Sequence, residues 1–161
     1  MDVNTFLGQM GAAMAIGLAA VGSALGVVEA GVSAAGAWSR DAKAGKPLRF
    51  LYIVLVSAPI TQTLYGFLVA SQMPGKLQEF AAVGAVIPGG MLLGLGIAAG
   101  LGEFLSAWMQ GRIGAAGCRM LSDADGKGFA LIIIAVGIAE TVGIFTLVFV
   151  SMLLGSVKVA G

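Results

Sequence analysis

Four long apolar runs, separated by short polar stretches, dominate the chain. They cover about 5–38, 49–72, 79–117 and 128–157, and the first ends in the charged stretch WSRDAKAGKPLR. An α-helix needs roughly 20 apolar residues to cross the ~30 Å hydrocarbon core of a bilayer. The second and fourth runs fit that length, and the longer first and third runs predict helices that tilt or project beyond it. The pattern predicts an all-α membrane protein with four transmembrane helices.

The four runs alternate in side-chain size, which predicts a tandem repeat. The first and third contain closely spaced glycines, and the second and fourth carry bulky residues (Gly22, Gly26, Gly90, Gly94, Gly96, Gly100; Phe67, Leu68, Phe145, Phe149). We expect one helical hairpin at 1–75 and a second, parallel one at 76–161. Because small-residue helices pack closely, copies could form a homo-oligomeric ring with the small-residue helices inside. A plain four-helix bundle fits the composition equally well.

Composition supports a membrane environment and excludes several classes of function. The chain is 58% hydrophobic and 11% charged, with mean hydropathy +0.99, whereas soluble domains are about a quarter charged. A net charge of +1 offers no basic patch for nucleic acid. There is no His, and the single Cys118 excludes an internal disulfide and a Cys-based metal site. No phosphate-binding GxxxxGK motif is present, and we expect no catalytic site in this chain.

Charges in the loops predict the orientation of the chain. The 39–49 loop carries four basic residues against one Asp, and the 112–127 loop carries three against two. The 73–79 loop is balanced. Cytoplasmic loops are enriched in Lys and Arg, so we expect 39–49 and 112–127 in the cytoplasm. Both termini then lie on the outer or lumenal side of a multi-pass membrane protein.

Polar residues at membrane depth are the candidates for function. Glu140 lies near the middle of the fourth run, and a charged group there costs ~2.5–3.5 kcal/mol on insertion scales. In the second run Ala58, Thr61, Gln62 and Tyr65 fall at i, i+3, i+4 and i+7, on one helical face. Taken singly, Thr61 and Gln62 are as well explained by hydrogen bonds between helices. Likewise, Glu140 could be a protonated or paired carboxyl that holds helices together.

Pro59 and Gln110 turn these candidates into a possible cation site. Pro59 lacks an N–H, so it frees the carbonyl of Leu55 and loosens the turn beside Thr61. With Glu140 and Gln110, the set comprises one carboxylate, one hydroxyl, two amide oxygens and a backbone carbonyl. Hard cations prefer such oxygen ligands. Na⁺ bound to the carboxylate would be neutral overall, whereas a proton needs the carboxylate alone, so both ions stay open.

The motifs TQTLYGFLV, QGRIGAAG and AETVGIFTLVF, in this order across four spans, resemble the proteolipid (c or K) subunit of rotary V-type ATPases. The resemblance covers essentially the whole chain and fits the duplicated, four-helix form with one acid per two hairpins. In that form Gln62 stands where the first hairpin would carry its acid. The resemblance implies Na⁺ held by Glu140, Thr61, Gln62, Gln110 and the Ala58 carbonyl, with Tyr65 hydrogen-bonded to Glu140. Proton-coupled members make H⁺ the alternative.

The resemblance also implies partners. Copies would form a ring in the lipid bilayer, beside a stator subunit that supplies an arginine, and rotation would reach a soluble ATP-hydrolysing head through a central-stalk subunit. Glu29 and Glu103 depart from the expected pattern, and we expect both on the inner surface of the ring, although protonation or mutual pairing is also open. The rival interpretations are a standalone small secondary transporter, with Glu140 as proton relay, and a purely structural bundle.

Overall fold

Five α-helices make up the computed structural model, which describes residues 2–159. They are α1 (Val3–Lys43), α2 (Leu51–Ser57), α3 (Thr61–Ala82), α4 (Gly89–Asp123) and α5 (Phe129–Ser156), and a 3-10 turn at Ala58–Ile60 joins α2 to α3. Taken together, α2, the turn and α3 form one span. Four helical spans are then long and apolar enough to cross a membrane. No strand occurs in this described part, so the predicted all-α, four-span fold is confirmed.

The turn between the second and third spans lies later in the chain than predicted. The expected helix ends at 72 and 79 are wrong, because α3 continues through both and α4 begins only at Gly89. The stretch QMPGK suggested a break, since proline cannot donate a helical hydrogen bond. Pro74 nevertheless lies inside α3. Lys76 and Glu79 pair on that helix, with Nζ 2.8 Å from Oε2. The turn itself occupies 83–88.

The small-residue helices α1 and α4 run parallel and form the largest helix–helix interface. A Cβ added at Gly96 would collide with the backbone carbonyl of Gly11, and one added at Gly22 would meet the backbone of Phe104. Glycine is therefore required at these crossings, because the two backbones touch directly. Such close approach is what small residues permit in membrane helices.

The bulkier α3 and α5 flank this pair and are joined to it by two apolar clusters, one toward each end of the spans. The first comprises Ala15, Val69, Met73, Leu92, Ala99, Val150 and Leu154. The second comprises Ala34, Ala37, Tyr52, Leu55, Cys118, Leu121 and Val136. Between them, at mid-height, lies a layer of buried polar side chains from α3 and α4. This arrangement places polar chemistry where a bilayer is most apolar.

A buried ionic network connects the C-terminal ends of α1 and α4 to the start of the second span. Asp41 is 1% exposed and accepts hydrogen bonds from Arg49 at 2.7 Å, Tyr52 at 2.8 Å and Ser122 at 2.8 Å. We call these four residues the Asp41 network. It explains why α1 and α4 run past the predicted ends at 38 and 117. The apolar runs end where the sequence becomes polar, but the helices continue beyond that point. There Ser122 donates a hydrogen bond to Asp41.

A candidate cation site at mid-height

The second span loses its regular helical form beside the candidate site. Pro59 is buried, and the segment Ala58–Ile60 adopts a 3-10 turn between α2 and α3. A short 3-10 stretch inside a helix often marks a functional hinge. The missing N–H of Pro59 accounts for the change, because the Leu55 carbonyl has no partner at that position of the ladder. The loosened turn predicted from the sequence is present.

Three oxygen atoms gather where α3 begins. The Thr61 hydroxyl lies 3.0 Å from the Ala58 carbonyl oxygen and 3.1 Å from Oε1 of Gln62. Oxygens that coordinate one hard cation at about 2.3–2.6 Å stand roughly 3 Å from each other. The Thr61 hydroxyl therefore stands at the spacing of cation ligands from each of the other two oxygens, and it donates a hydrogen bond to one of them.

Ser106 on α4 sets the direction of the Gln62 amide. The amide nitrogen of Gln62 donates to the Ser106 hydroxyl at 3.3 Å, and that hydroxyl donates to the Ala139 carbonyl on α5 at 2.9 Å. Gln62 is 0% exposed. With its nitrogen engaged by Ser106, Gln62 turns its oxygen toward Thr61. The bond to Ala139 connects this cluster to the residue next to Glu140.

Glu140 itself lies half-buried on α5 and is held by α3. The Tyr65 hydroxyl donates to Oε1 of Glu140 at 3.1 Å. Its neighbours Ile138 and Val142 are exposed on the outer face of α5. The carboxylate thus lies close to the surface of the chain, where an ion could enter or leave.

Among the polar side chains of residues 2–159, only those of Gln110 and Glu103 have buried polar atoms without a hydrogen-bond partner. Both are 0% exposed, and the side-chain polar atoms of both lack a hydrogen-bond partner among residues 2–159. An unpaired buried polar group costs about 1–3 kcal/mol, and more when charged. Gln110, Ser106 and Glu103 lie at i, i−4 and i−7 on α4, so they form one stripe. Ser106 is bonded to Gln62 and Ala139, so the unpaired groups of this stripe are Gln110 and Glu103.

The predicted site residues are partly brought together. Ala58, Thr61 and Gln62 form one group, and Tyr65 and Glu140 form a second. Gln110 lies on the same layer without a bond to either group within the described chain. No cluster of three or more His, Cys, Asp or Glu side chains occurs in residues 2–159.

Glu103 and Glu29, the two acids that depart from the family pattern, have different surroundings. We expected Glu103 on the inner surface of a ring, and this expectation is wrong. Its carboxyl points into the chain beside Gly143 of α5. Glu29 is half-buried and accepts a hydrogen bond from the Trp108 indole at 2.7 Å, and the Arg112 guanidinium lies 5.9 Å from that ring. They do not pair with each other, since α4 directs Glu103 toward α5 and Glu29 bonds Trp108.

Comparison with known proteins identifies the family. The family model for the ATP synthase C subunit matches this chain twice, over residues 10–73 and 93–153. The chain belongs to the ATP synthase C-subunit family. The first match contains the Thr61–Gln62 motif and the second contains Gln110 and Glu140, so the family's repeat occurs twice here. The hairpin boundary at 75/76 remains a prediction.

Two relatives extend the family assignment. The chain is 36% identical over 149 residues to the A-type ATP synthase K subunit of Methanocaldococcus jannaschii, covering 92% of this chain. It spans 61% of the length of that relative. It is 30% identical over 145 residues to the 16 kDa proteolipid c-subunit of the V-type proton ATPase of Nephrops norvegicus, covering 90% of this chain and 87% of that one.

Within this member of the C-subunit family, the sequence did not single out Ser106 and placed Glu103 wrongly. Both could have been found by periodicity, because they fall four and seven residues before Gln110 and so share its helical face. The sequence did not show whether that face of α4 points toward a ring interior or toward α3 and α5. Ser and Glu in a glycine-rich helix fit a ring interior equally well, and only packing against α3 and α5 decides between the two.

Proposed function

We propose that this chain is the ion-carrying subunit of a membrane rotor ring in a V- or A-type rotary ATPase, and that the ion is Na⁺ bound at Glu140. The ligands are the Glu140 carboxylate, the Thr61 hydroxyl, the amide oxygens of Gln62 and Gln110, and the Ala58 carbonyl. Tyr65 orients Glu140. Family membership and both relatives support the rotor function.

The observation that favours Na⁺ is the excess of oxygen ligands in the layer. Ala58, Thr61 and Gln62 present oxygens 3.0 and 3.1 Å apart, and Gln110 has an amide that nothing else in residues 2–159 engages. A proton needs only the carboxylate. Na⁺ must replace its lost hydration shell with oxygens, and one cation would engage these groups together.

The mechanism follows from the position of Glu140. Na⁺ and the carboxylate are neutral together, so a loaded site can face lipid, whereas an empty carboxylate is too costly to do so. An arginine of the stator subunit would displace the ion as each copy passes, and water-filled half-channels would load and unload it from opposite sides. A central-stalk subunit would link rotation to ATP hydrolysis in a soluble head. This chain makes no covalent bond.

Gln62 has a consequence for coupling. The first repeat carries an amide where the second carries Glu140, so one chain of four spans carries one exchangeable ion. For a ring of given circumference, fewer ions cross per turn. Fewer ions per ATP allow pumping against a steeper gradient. The basic 39–49 and 112–127 segments would face the cytoplasm and both termini the opposite side.

Proton coupling is the second candidate, and a specific observation favours it. The Glu140 side chain receives its hydrogen bond from Tyr65, and none of the other proposed ligands bonds to it within residues 2–159. The Nephrops relative is named a proton ATPase subunit. In this alternative Thr61, Gln62 and Ser106 hold the helices together, and Glu140 alone carries H⁺.

Carbodiimide labelling separates the two ions. The reagent attacks a protonated carboxyl, and bound Na⁺ keeps Glu140 ionised. Labelling of Glu140, located by peptide mass spectrometry, should slow as Na⁺ is added at fixed pH and ionic strength, and K⁺ should have no such effect. Gln110→Ala should weaken the protection, because it removes one ligand and leaves the acid in place.

Gln78→Ala is the matched control, because Gln78 is an exposed glutamine on α3 away from the layer. It should retain the full protection by Na⁺. If millimolar Na⁺ leaves the labelling rate unchanged near neutral pH, the sodium assignment is wrong and the proton assignment replaces it.

A further inference from the structure

Glu103 presents a second carboxyl to the mid-height layer, away from the surface where Glu140 lies. It is 0% exposed, and Oε2 lies 2.6 Å from the point that a Cβ on Gly143 would occupy. The Ser106 hydroxyl and Cγ of Gln62 lie 3.2 and 3.4 Å from that same point. Glu103, Ser106 and Gln62 therefore enclose a small space that exists because residue 143 has no side chain.

This space is close to the proposed exchange site but separate from it. Gly143 follows Glu140 by three residues on α5, which is about 4.5 Å along the helix axis. Glu140 is half-buried beside exposed residues of α5, whereas Glu103 is enclosed on all sides. An ion at Glu140 can reach a stator, but anything bound at Glu103 stays inside the chain.

Within residues 2–159, an ionised Glu103 has no counter-charge. All five salt bridges in residues 2–159 involve other carboxylates, namely Asp41, Asp123, Asp125 and Glu79. Burying a lone carboxylate in an apolar environment costs far more than an ordinary hydrogen bond returns. Both carboxyl oxygens also lack hydrogen-bond donors within the described chain. Residues 2–159 therefore supply nothing that would neutralise this group.

We propose that Glu103, together with the Ser106 hydroxyl, holds a second monovalent cation in each chain, either a proton or Na⁺, that stays bound while the ion at Glu140 exchanges. The proposal rests on the proposed function only for the identity of the exchanging site. It gives each chain two bound cations and one transported ion. Ion stoichiometry per turn then follows from Glu140 alone, although two acids lie in the membrane.

Rings isolated from the intact complex in mild detergent test the proposal. Glu140→Gln serves as background because it removes the exchanging carboxyl. Two readouts distinguish the occupants: the infrared carbonyl band of a protonated carboxylic acid, and the Na⁺ content per chain after desalting into alkali-free buffer. We expect one of these signals, at one equivalent per chain, in the Glu140→Gln ring.

Adding Glu103→Gln to that background should remove the signal. Loss of the acid band identifies a proton, and loss of one Na⁺ per chain identifies sodium. Glu29→Gln is the matched control, since Glu29 is also an acid of the spans but is bonded by Trp108, and it should keep the signal intact. A Glu140→Gln ring with neither signal, or a signal that survives Glu103→Gln, overturns the proposal.

Gly143→Ala keeps the test decisive if the Glu103→Gln ring does not assemble. The added Cβ would crowd Oε2 of Glu103, so it should shift the acid band or release the Na⁺. An unchanged signal would contradict the proposed location. The outcome for Glu140 is measured separately in wild type: if added Na⁺ does not slow the labelling of Glu140, the proposed sodium site fails, and the Glu103 comparison still stands.

Discussion

Asp41 and Glu103 are both buried carboxyls on small-residue helices, yet their surroundings differ completely. Asp41 is 1% exposed and receives hydrogen bonds from Arg49, Tyr52 and Ser122. Glu103 is 0% exposed and receives none from residues 2–159. A buried charge is tolerated when it is paired and fully hydrogen-bonded. By that criterion the Asp41 network is complete within one chain, and the mid-height layer is not.

This difference distinguishes polar side chains that hold the fold together from polar side chains that are available to a ligand. The Asp41 network joins the end of α1 to α2 and to the end of α4. Nearby surface pairs join the same regions: Arg40–Asp123 connects the two helix ends, and Lys46–Asp125 connects the loops that follow them. Its charges balance internally, so it needs no ligand. The mid-height layer keeps unmatched oxygens at Gln110 and Glu103, and we infer that cations complete it. Mutations in the two regions should therefore fail in different ways.

Glu140→Gln should have the largest effect, on activity alone. The amide cannot bind or release a cation as a carboxylate does, so ion-coupled ATP hydrolysis should be abolished. The ring should still form, because Gln can accept the Tyr65 hydrogen bond. ATPase activity and ion uptake in reconstituted vesicles, with native mass of the ring, measure both. Glu29→Gln should retain most activity, and equal loss in both variants would refute a single carrier.

Asp41→Ala should have the opposite signature. It leaves the Tyr52 and Ser122 hydroxyls without their acceptor and leaves Arg49 only its longer contact with Asp125, and each buried polar group left unpaired costs about 1–3 kcal/mol. We expect a large drop in the thermal stability of the helices, measured by circular dichroism in detergent. Asp123→Ala is the matched control, because its pair with Arg40 is exposed and exposed pairs contribute about 0–1 kcal/mol. Similar losses in the two variants would remove the distinction between the regions.

The spans were predictable because their signal is long and one-dimensional. Twenty or more apolar residues must form helices in a bilayer, since no water satisfies the backbone. The turn near 72–79 was not predictable from Pro74, because one lost hydrogen bond in a long helix is easily tolerated when neighbouring turns remain intact. The actual turn at 83–88 reads VGAVIP, so polar composition did not mark it either.

The site was predictable to the extent that its residues share a motif or a helical face. Thr61, Gln62 and Tyr65 follow from spacing on one helix, and Glu140 from its isolation in an apolar run. The role of Ser106 and the inward direction of Glu103 depend on how α4 rotates against α3 and α5. Glycine contacts between α1 and α4 determine that rotation, and a single sequence does not encode the angle in any one residue.

Asp125→Asn should have the smallest effect and sharpens the contrast with Asp41. Asp125 lies in the loop between α4 and α5, and the hydrogen bond and charge of Lys46 lower its pKa from the usual 3.8, with Arg49 contributing. A carboxyl with a lowered pKa in the folded state stabilises that state above its unfolded pKa, and the contribution disappears as pH falls through the lower, folded value. Wild type should therefore be slightly more stable than the variant at neutral pH, and the two should converge in strong acid.

The salt dependence of stability should also differ between Asp125→Asn and Asp41→Ala. Exposed charges are screened over about 8 Å at 0.15 M salt and about 3 Å at 1 M, so the Asp125 contribution should shrink at high salt. The Asp41→Ala loss should change less, because Asp41 itself is 1% exposed. Thermal unfolding of wild type and both variants, at low and high salt, measures the two differences side by side. If the Asp125→Asn difference ignores salt, or equals that of Asp41→Ala, the loop pair belongs to the buried network and the contrast between the two regions must be redrawn.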